Sequence, residues 1–224
     1  GLSKYSQQSF LSNDKVIYRG ATPVSLNNKI LRPVCNPFQP TGGLQTLTGN
    51  LGSAVIKISA MAPEKRLIEA PAAIFKCQKD VKKAFYSGNL DRDVILVLSY
   101  QGPAANGMPE LHNLTPFLLV LQDRGHKVAL VTDGRMSGAS GKVPAAIHLT
   151  PEAANDGPIS QIRDGDIIRL DANKGTLETL AKNWSDRPIL HPNLSENKLG
   201  LGRELFSIFR RNAGPASDGA GVVI

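Results

Sequence analysis

The 224-residue chain is 41% apolar and 20% charged, a balance that suits a folded domain and excludes a disordered one. No run approaches the roughly 20 uninterrupted apolar residues of a membrane-spanning helix, and no basic, apolar leader opens the sequence, so neither an integral membrane protein nor secretion is indicated. The net charge of +7 is unevenly placed: residues 1–90 carry 12 basic and 4 acidic side chains, residues 91–224 carry 14 and 15.

A basic first third suits a solvated face, an acidic partner domain or an anionic small molecule. Nucleic acid is the weaker partner: only 12 of 224 residues are Phe, Tyr or Trp, and none is interleaved with basic residues for base stacking. The start at Gly1, without methionine and in polar sequence, reads as the beginning of an excised piece. Cys35 and Cys77 lie 42 residues apart with no second thiol near either. That spacing makes neither a disulfide framework nor a zinc site, fits a reducing cytoplasm, and leaves both as expected small buried hydrophobes. Two thiols are also too few for an iron–sulfur cluster held by this chain alone.

Residues 1–50 are rich in Asn, Gln, Pro and Gly, with apolar runs only at Val16–Tyr18 and Ile30–Leu31, and read as an irregular arm. Regular structure is expected from Gly52, with Ala54–Ile58 alternating as a strand. Lys76–Tyr86 follows as a helix with Val81, Ala84 and Phe85 on one face and Gly88 as its stop. Asp93–Tyr100 (DVILVLSY) is a continuous apolar run, the pattern of a strand covered on both faces. Leu114–Asp123 has helical spacing, with Thr115-Pro116 as cap and first-turn proline and Gly125 as stop. Lys127–Thr132 (KVALVT) is a second buried strand, Ala145–Leu149 a third, and Pro151–Asn155 a short helix. Asp166–Leu170 and Thr176–Leu180 flank Ala172-Asn173-Lys174-Gly175, a hairpin turn because Asn and Gly accept positive φ. Leu199–Arg211 closes the domain as an amphipathic helix with Leu201, Leu205, Ile208 and Phe209 inward, and the tail from Ala213 reads as loose. Strands, helices and hairpins interleave without the even βαβ rhythm of a doubly wound sheet, so the expected class is mixed α/β, a compact barrel flanked by helices. The expected boundaries are an arm over 1–50, one domain over 51–212 and a tail over 213–224.

Two loops follow buried strands, where strand carboxyl ends present ligand-binding segments. In Gln101–His112 (QGPAANGMPELH), Glu110 is the one carboxylate on a glycine-containing crest: a hard-metal ligand completed by other segments, or an ordinary surface glutamate. Thr132–Val143 (TDGRMSGASGKV) offers three glycines after Asp133, two serines, Arg135 and Lys142: an anion cradle, or a turn whose serines satisfy backbone groups. It carries neither Walker spacing nor a nucleophile elbow, so Ser137 is weak as an acyl-transfer nucleophile. His112, His126, His148 and His191 show no metal-ligand spacing.

At these loops the sequence resembles a known family. GPAANGMPELH at 102–112, VTDGRMSGASGKVPAAIHLTPEA at 131–153 and GPISQIRDGDIIRLD at 157–171 are similar, in order, to the C-terminal region of the dihydroxy-acid dehydratase and 6-phosphogluconate dehydratase family. GNLGSAVIKISA at 49–60 extends the resemblance to about residues 10–210. Leu111-His112, Met136 and the run Ala139–Pro144 look like the 6-phosphogluconate branch. The resemblance implies a swivelling β/β/α barrel domain from a cytoplasmic homodimer. Its absent N-terminal domain would carry the cysteines of a cluster, 4Fe–4S in kind, and most magnesium ligands. It places the C-terminal magnesium ligand on Glu110, the catalytic serine base on Ser137, and Gly138 and Ser140 in the adjoining substrate loop. Arg135 and Lys142 join them as anion partners on charge alone. The implied reaction is loss of water from 6-phospho-D-gluconate to give 2-keto-3-deoxy-6-phosphogluconate, in the Entner–Doudoroff pathway. The rivals are a dehydratase of another sugar acid or of branched-chain dihydroxy acids, a non-catalytic anion-binding module, and a pure dimerisation domain.

Overall fold

The computed structural model describes residues 7–20, 25, 27–33, 35–137 and 141–223. They fall into two compact units, Gly1–Gly42 and Gly43–Ile224. In the first unit, β1 (Gln7–Ser12) and β2 (Lys15–Gly20) form an antiparallel hairpin that pairs Ser12 with Lys15. The two turn residues, Asn13 and Asp14, both take positive φ (49° and 58°), the geometry that matches a hairpin's twist. The arm expected to be irregular therefore contains a hairpin. Its turn lacks the Asn-Gly or Asp-Gly pair that usually announces one.

The second unit is built on a closed eight-stranded barrel in the order β10-β3-β4-β8-β7-β6-β5-β9. Its strands are β3 (Leu44–Gly49), β4 (Gly52–Lys57), β5 (Leu67–Phe75), β6 (Val94–Leu98), β7 (Val128–Thr132), β8 (Ala145–Thr150), β9 (Ile167–Asp171) and β10 (Thr176–Thr179). β5, β6, β7 and β8 run parallel to one another, and β3–β4, β4–β8, β5–β9 and β9–β10 pair antiparallel. Helix α1 (Gln78–Tyr86) connects β5 to β6, while α2 (Pro103–Asn106) and α3 (Thr115–Asp123) lie between β6 and β7. Helix α4 (Ser207–Asn212) follows the barrel. Among the described residues no helix is long and apolar enough to cross a membrane.

The runs DVILVLSY and KVALVT are apolar throughout because both faces of β6 and β7 are covered. Ile95, Val97, Ala129 and Val131 join Leu47, Ile56, Ile168 and Leu170 in the barrel core. Their neighbours Val94, Leu96, Leu98, Val128 and Leu130 face a second core with Val81 of α1 and Leu118 and Leu121 of α3. Period-two alternation thus feeds two apolar layers instead of one apolar and one wet face. Burying each large aliphatic side chain contributes roughly 1.5–3 kcal/mol.

Two strands escape the sequence reading. β3 (LQTLTG) buries only Leu47, and β5 (LIEAPAAIF) hides its alternation behind alanines and Pro71. Regular structure in this unit therefore begins at Leu44, ahead of the expected Gly52. The expected closing helix over 199–211 is corrected. Only Ser207–Asn212 is helical, and Leu201, Leu205, Ile208 and Phe209 are exposed rather than inward. Gly200, Leu201 and Gly202 all take positive φ (82°, 54° and 78°), which stops a right-handed helix from running through. Past Ala213 the chain makes a 3-10 turn (Ala216–Asp218), closed by Gly214 N–H donating to the Gly221 carbonyl at 2.8 Å. The cysteines also depart from expectation, with Cys35 exposed and Cys77 only half-buried. The Cys77 thiol lies 3.3 Å from Asp80 Oδ2.

Candidate active site at the carboxyl ends of the parallel strands

The loops after β6, β7 and β8 are joined by two buried carboxylates. Asp133, at the carboxyl end of β7, accepts hydrogen bonds from the backbone N–H groups of Tyr100 (3.0 Å), Gln101 (2.8 Å) and Ala153 (3.0 Å). Glu152 accepts from the N–H groups of Ala104 (2.9 Å) and Ala105 (3.1 Å), at the start of α2. Gly102 makes room for that contact, because a Cβ there would fall on the Glu152 carboxyl group. Gly107, left-handed at φ 68°, ends α2 and redirects the chain toward Glu110.

Glu110 and Arg135 pair as an isolated parallel β-bridge between the two loops, with Leu111 N–H donating to the Arg135 carbonyl at 3.2 Å. The Glu110 carboxylate is fixed by main chain: Oε1 accepts from Ser137 N–H at 2.8 Å and from His112 N–H at 3.0 Å. Gln78, in the first turn of α1, donates to the Glu110 carbonyl at 3.1 Å. Oε2 faces Arg135 Nη1 at 3.6 Å, while Arg135 Nε donates to the Met108 carbonyl at 2.6 Å. Glu110 and Ser137, 27 residues apart, thus sit side by side. Among the described residues no group of three or more His, Cys, Asp or Glu side chains could hold a metal ion by itself. Glu110 offers one carboxylate oxygen beyond the two backbone donors, a hard donor suited to a cation such as magnesium whose other ligands come from elsewhere.

Arg135 is exposed and engaged with Glu110 and Met108, and Lys142 is exposed. Gly138 and Ser140 lie outside the described residues. Lys57, at the end of β4, carries no sequence signal of a site role, yet its aliphatic stem runs against the glycine loop: a Cβ on Gly141 would meet Lys57 Cδ at 3.1 Å. His148, on β8, is held below the ordinary histidine range by burial and then by the nearby Arg135 charge.

Burial lifts the Asp133 carboxyl to about 6, its three backbone donors pulling it down and the Glu152 charge pushing it up. A raised carboxyl binds protons more tightly folded than unfolded. Its stabilising contribution is therefore complete below the ordinary value of 3.8 and is lost as pH rises through about 6. Chemical denaturation of the wild type should accordingly include a fall of about 3 kcal/mol across that window that Asp133→Asn does not show. Equal pH slopes for the two proteins would contradict this account of Asp133.

Comparison with known proteins shows the family of the chain. Over residues 29–220 the chain matches the family described as Dihydroxy-acid/6-phosphogluconate dehydratase C-terminal. It is similar to the phosphogluconate dehydratase of Rhizobium meliloti (strain 1021), with 53% identity over 226 residues that cover 100% of this chain and 37% of that protein. It is also similar to the phosphogluconate dehydratase of Pseudomonas aeruginosa (strain PAO1), at 51% over 222 residues, 98% of this chain and 36% of that protein. Identity falls to 35% over 205 residues with the dihydroxy-acid dehydratase of Clostridium kluyveri, covering 83% of this chain and 36% of that protein. The chain spans little more than a third of the length of these relatives.

Proposed function

Because the chain belongs to the dihydroxy-acid/6-phosphogluconate dehydratase C-terminal family, we propose that it is the C-terminal part of a 6-phosphogluconate dehydratase. The full-length enzyme removes water from 6-phospho-D-gluconate and yields 2-keto-3-deoxy-6-phosphogluconate, in the cytoplasm, as a homodimer. The observation that carries this reading is the hydrogen bond between Ser137 N–H and the Glu110 carboxylate. It brings the two loops together at residues 110 and 137, and this supports a serine base beside a hard oxygen donor in a chain whose 51–53% identical relatives are phosphogluconate dehydratases.

Dehydration of a 2,3-dihydroxy acid takes the C2 proton and expels the C3 hydroxyl. Ser137 Oγ, as alkoxide, accepts the C2 proton, the C2–H electron pair forms the C2–C3 double bond, and the C3 hydroxyl leaves as hydroxide; the proton now on Ser137 Oγ passes to it, giving water and restoring the alkoxide. The enol then ketonises. A serine hydroxyl is far too weak an acid to ionise unless cations favour the charged form. Glu110 would hold magnesium as one of its ligands and cysteines of the remaining polypeptide would hold a 4Fe–4S cluster; when bound, the first would supply that positive charge and the second a Lewis acid for the departing hydroxyl. Cys35 and Cys77 do not fit as cluster ligands, one being exposed in the first unit and the other turned to Asp80. Glu110 fits as a magnesium ligand because only its Oε1 is consumed by backbone donors. Arg135, Gly138, Ser140 and Lys142 make up the substrate-facing loop, in which backbone N–H groups and two cations attract an anionic sugar acid.

The test is turnover by the full-length protein, with cluster and magnesium in place. It is expected to dehydrate 6-phosphogluconate well in preference to branched-chain dihydroxy acids or unphosphorylated sugar acids. Preference for either of those groups, or tight binding of phosphosugar without turnover, would overturn the proposal.

A further inference from the structure

Outside the Glu110–Ser137 site the structure carries a second cluster of charge. Between α2 and the segment ending in α4 lies a cavity of about 230 Å³, lined by Ala104, Ala105, Lys198, Ser207, Arg210 and Arg211. Every ionisable group on its wall is a cation. The Arg210 Nη2 atom is buried and has no hydrogen-bond partner among the described residues. Burying such a donor unpaired costs free energy that folded proteins ordinarily avoid, so the atom calls for an acceptor that the described residues do not supply.

Two acids of the neighbouring segments are already used. Glu204 Oε2 accepts from Gly200 N–H at 3.1 Å, and Glu152 is taken up by the N–H groups of Ala104 and Ala105. Neither lines the cavity. The α2 amides point at Glu152, which leaves guanidinium, ammonium and hydroxyl side chains to meet a ligand. Arg203 ties this segment to α2, its Nη2 donating to the Asn106 carbonyl at 3.0 Å and to Asn106 Oδ1 at 2.6 Å. The cavity therefore shares the loop that presents Glu110. A Cβ on Gly107 would lie 3.9 Å from Arg210 Cδ, and Met108, the next residue, holds Arg135.

We propose that Lys198, Ser207, Arg210 and Arg211 form the subsite for the phosphate monoester of the substrate. The assignment rests on the reading of the chain as part of a sugar-phosphate dehydratase. A phosphate dianion offers several acceptor oxygens to this many donors, and guanidinium groups match it in geometry as well as charge. The phosphate also sits at the far end of the six-carbon chain from the C1 carboxylate. One loop, 101–112, would then carry determinants for both ends of the molecule.

The experiment uses the full-length, cluster-loaded enzyme with magnesium. It measures kcat and KM for 6-phosphogluconate, inhibition by inorganic phosphate, and melting temperature. Arg210→Gln is expected to raise KM and the phosphate inhibition constant together by about tenfold or more, with kcat within a few-fold, as loss of a charged hydrogen bond implies. The exposed residues provide variants that leave folding undisturbed: Lys198→Gln and Arg211→Gln are each expected to raise both constants severalfold. Unchanged constants in all three variants would overturn the assignment. So would a lower melting temperature in Arg210→Gln with KM intact, since that marks a carboxylate of the remaining polypeptide as the true partner. If the wild type turned over no phosphorylated sugar acid, the dehydratase reading would fail instead. Calorimetric titration of the same proteins with inorganic phosphate would then decide the subsite: wild-type binding weakened in the variants supports it, and no binding overturns it.

Discussion

Ser137→Ala in the full-length enzyme is expected to lower kcat for 6-phosphogluconate by about three orders of magnitude, within the range that a positioned acid or base supplies, while KM moves by a few-fold at most. The substitution is clean because the Glu110 carboxylate binds the main-chain N–H of residue 137. Alanine keeps that hydrogen bond, so the loop geometry and the Glu110 position survive. A large loss of turnover would then report the missing oxygen alone. Exchange of the C2 proton with solvent deuterium, followed without product formation, should fall in parallel. Near-normal turnover by Ser137→Ala would exclude the serine as base.

The second large effect concerns Glu110. Glu110→Gln retains an oxygen that can accept from the N–H groups of His112 and Ser137, as Oε1 does now at 3.0 and 2.8 Å. It removes the negative charge and places an amide NH₂ where Oε2 faces Arg135 Nη1 at 3.6 Å. A metal ion's electrostatic stabilisation of the reacting charge amounts to several kcal/mol, so activity should fall by about a hundredfold or more. The magnesium concentration giving half-maximal activity should rise, and excess magnesium should restore part of the loss. Glu110→Ala should go further by releasing both backbone donors, which lowers the melting temperature as well. A Glu110→Gln enzyme with the wild-type magnesium requirement would remove Glu110 from the metal site.

The strands that sequence reveals best are those with no wet face. β6 and β7 read as buried because each feeds two apolar cores. β5 does not, because Glu69, Pro71 and a run of alanines disguise its alternation. The stretch 199–211 shows the opposite failure. Its spacing of Leu201, Leu205, Ile208 and Phe209 imitates a helix face, but two left-handed glycines interrupt the backbone and leave those side chains exposed. In the site, Glu110 and Ser137 were legible since each belongs to a recognisable loop motif. Asp133, Glu152 and Lys57 were not. Their roles come from contacts with loops far away in sequence, and a lone buried acid leaves no periodic trace. Arg210 was hidden likewise, as one of several basic residues near the end of the chain, until the fold gave it a cavity and left its Nη2 without a hydrogen-bond partner among the described residues.

The attachment of Glu110 to the peptide N–H at position 137 separates scaffold from reactivity. Cysteine, threonine or glycine there would alter what proton-transfer chemistry is possible without cutting the strut between the two loops, and proline alone, having no N–H, would sever it. Chemistry at this position is thus free to drift under selection while the architecture that aims it stays put.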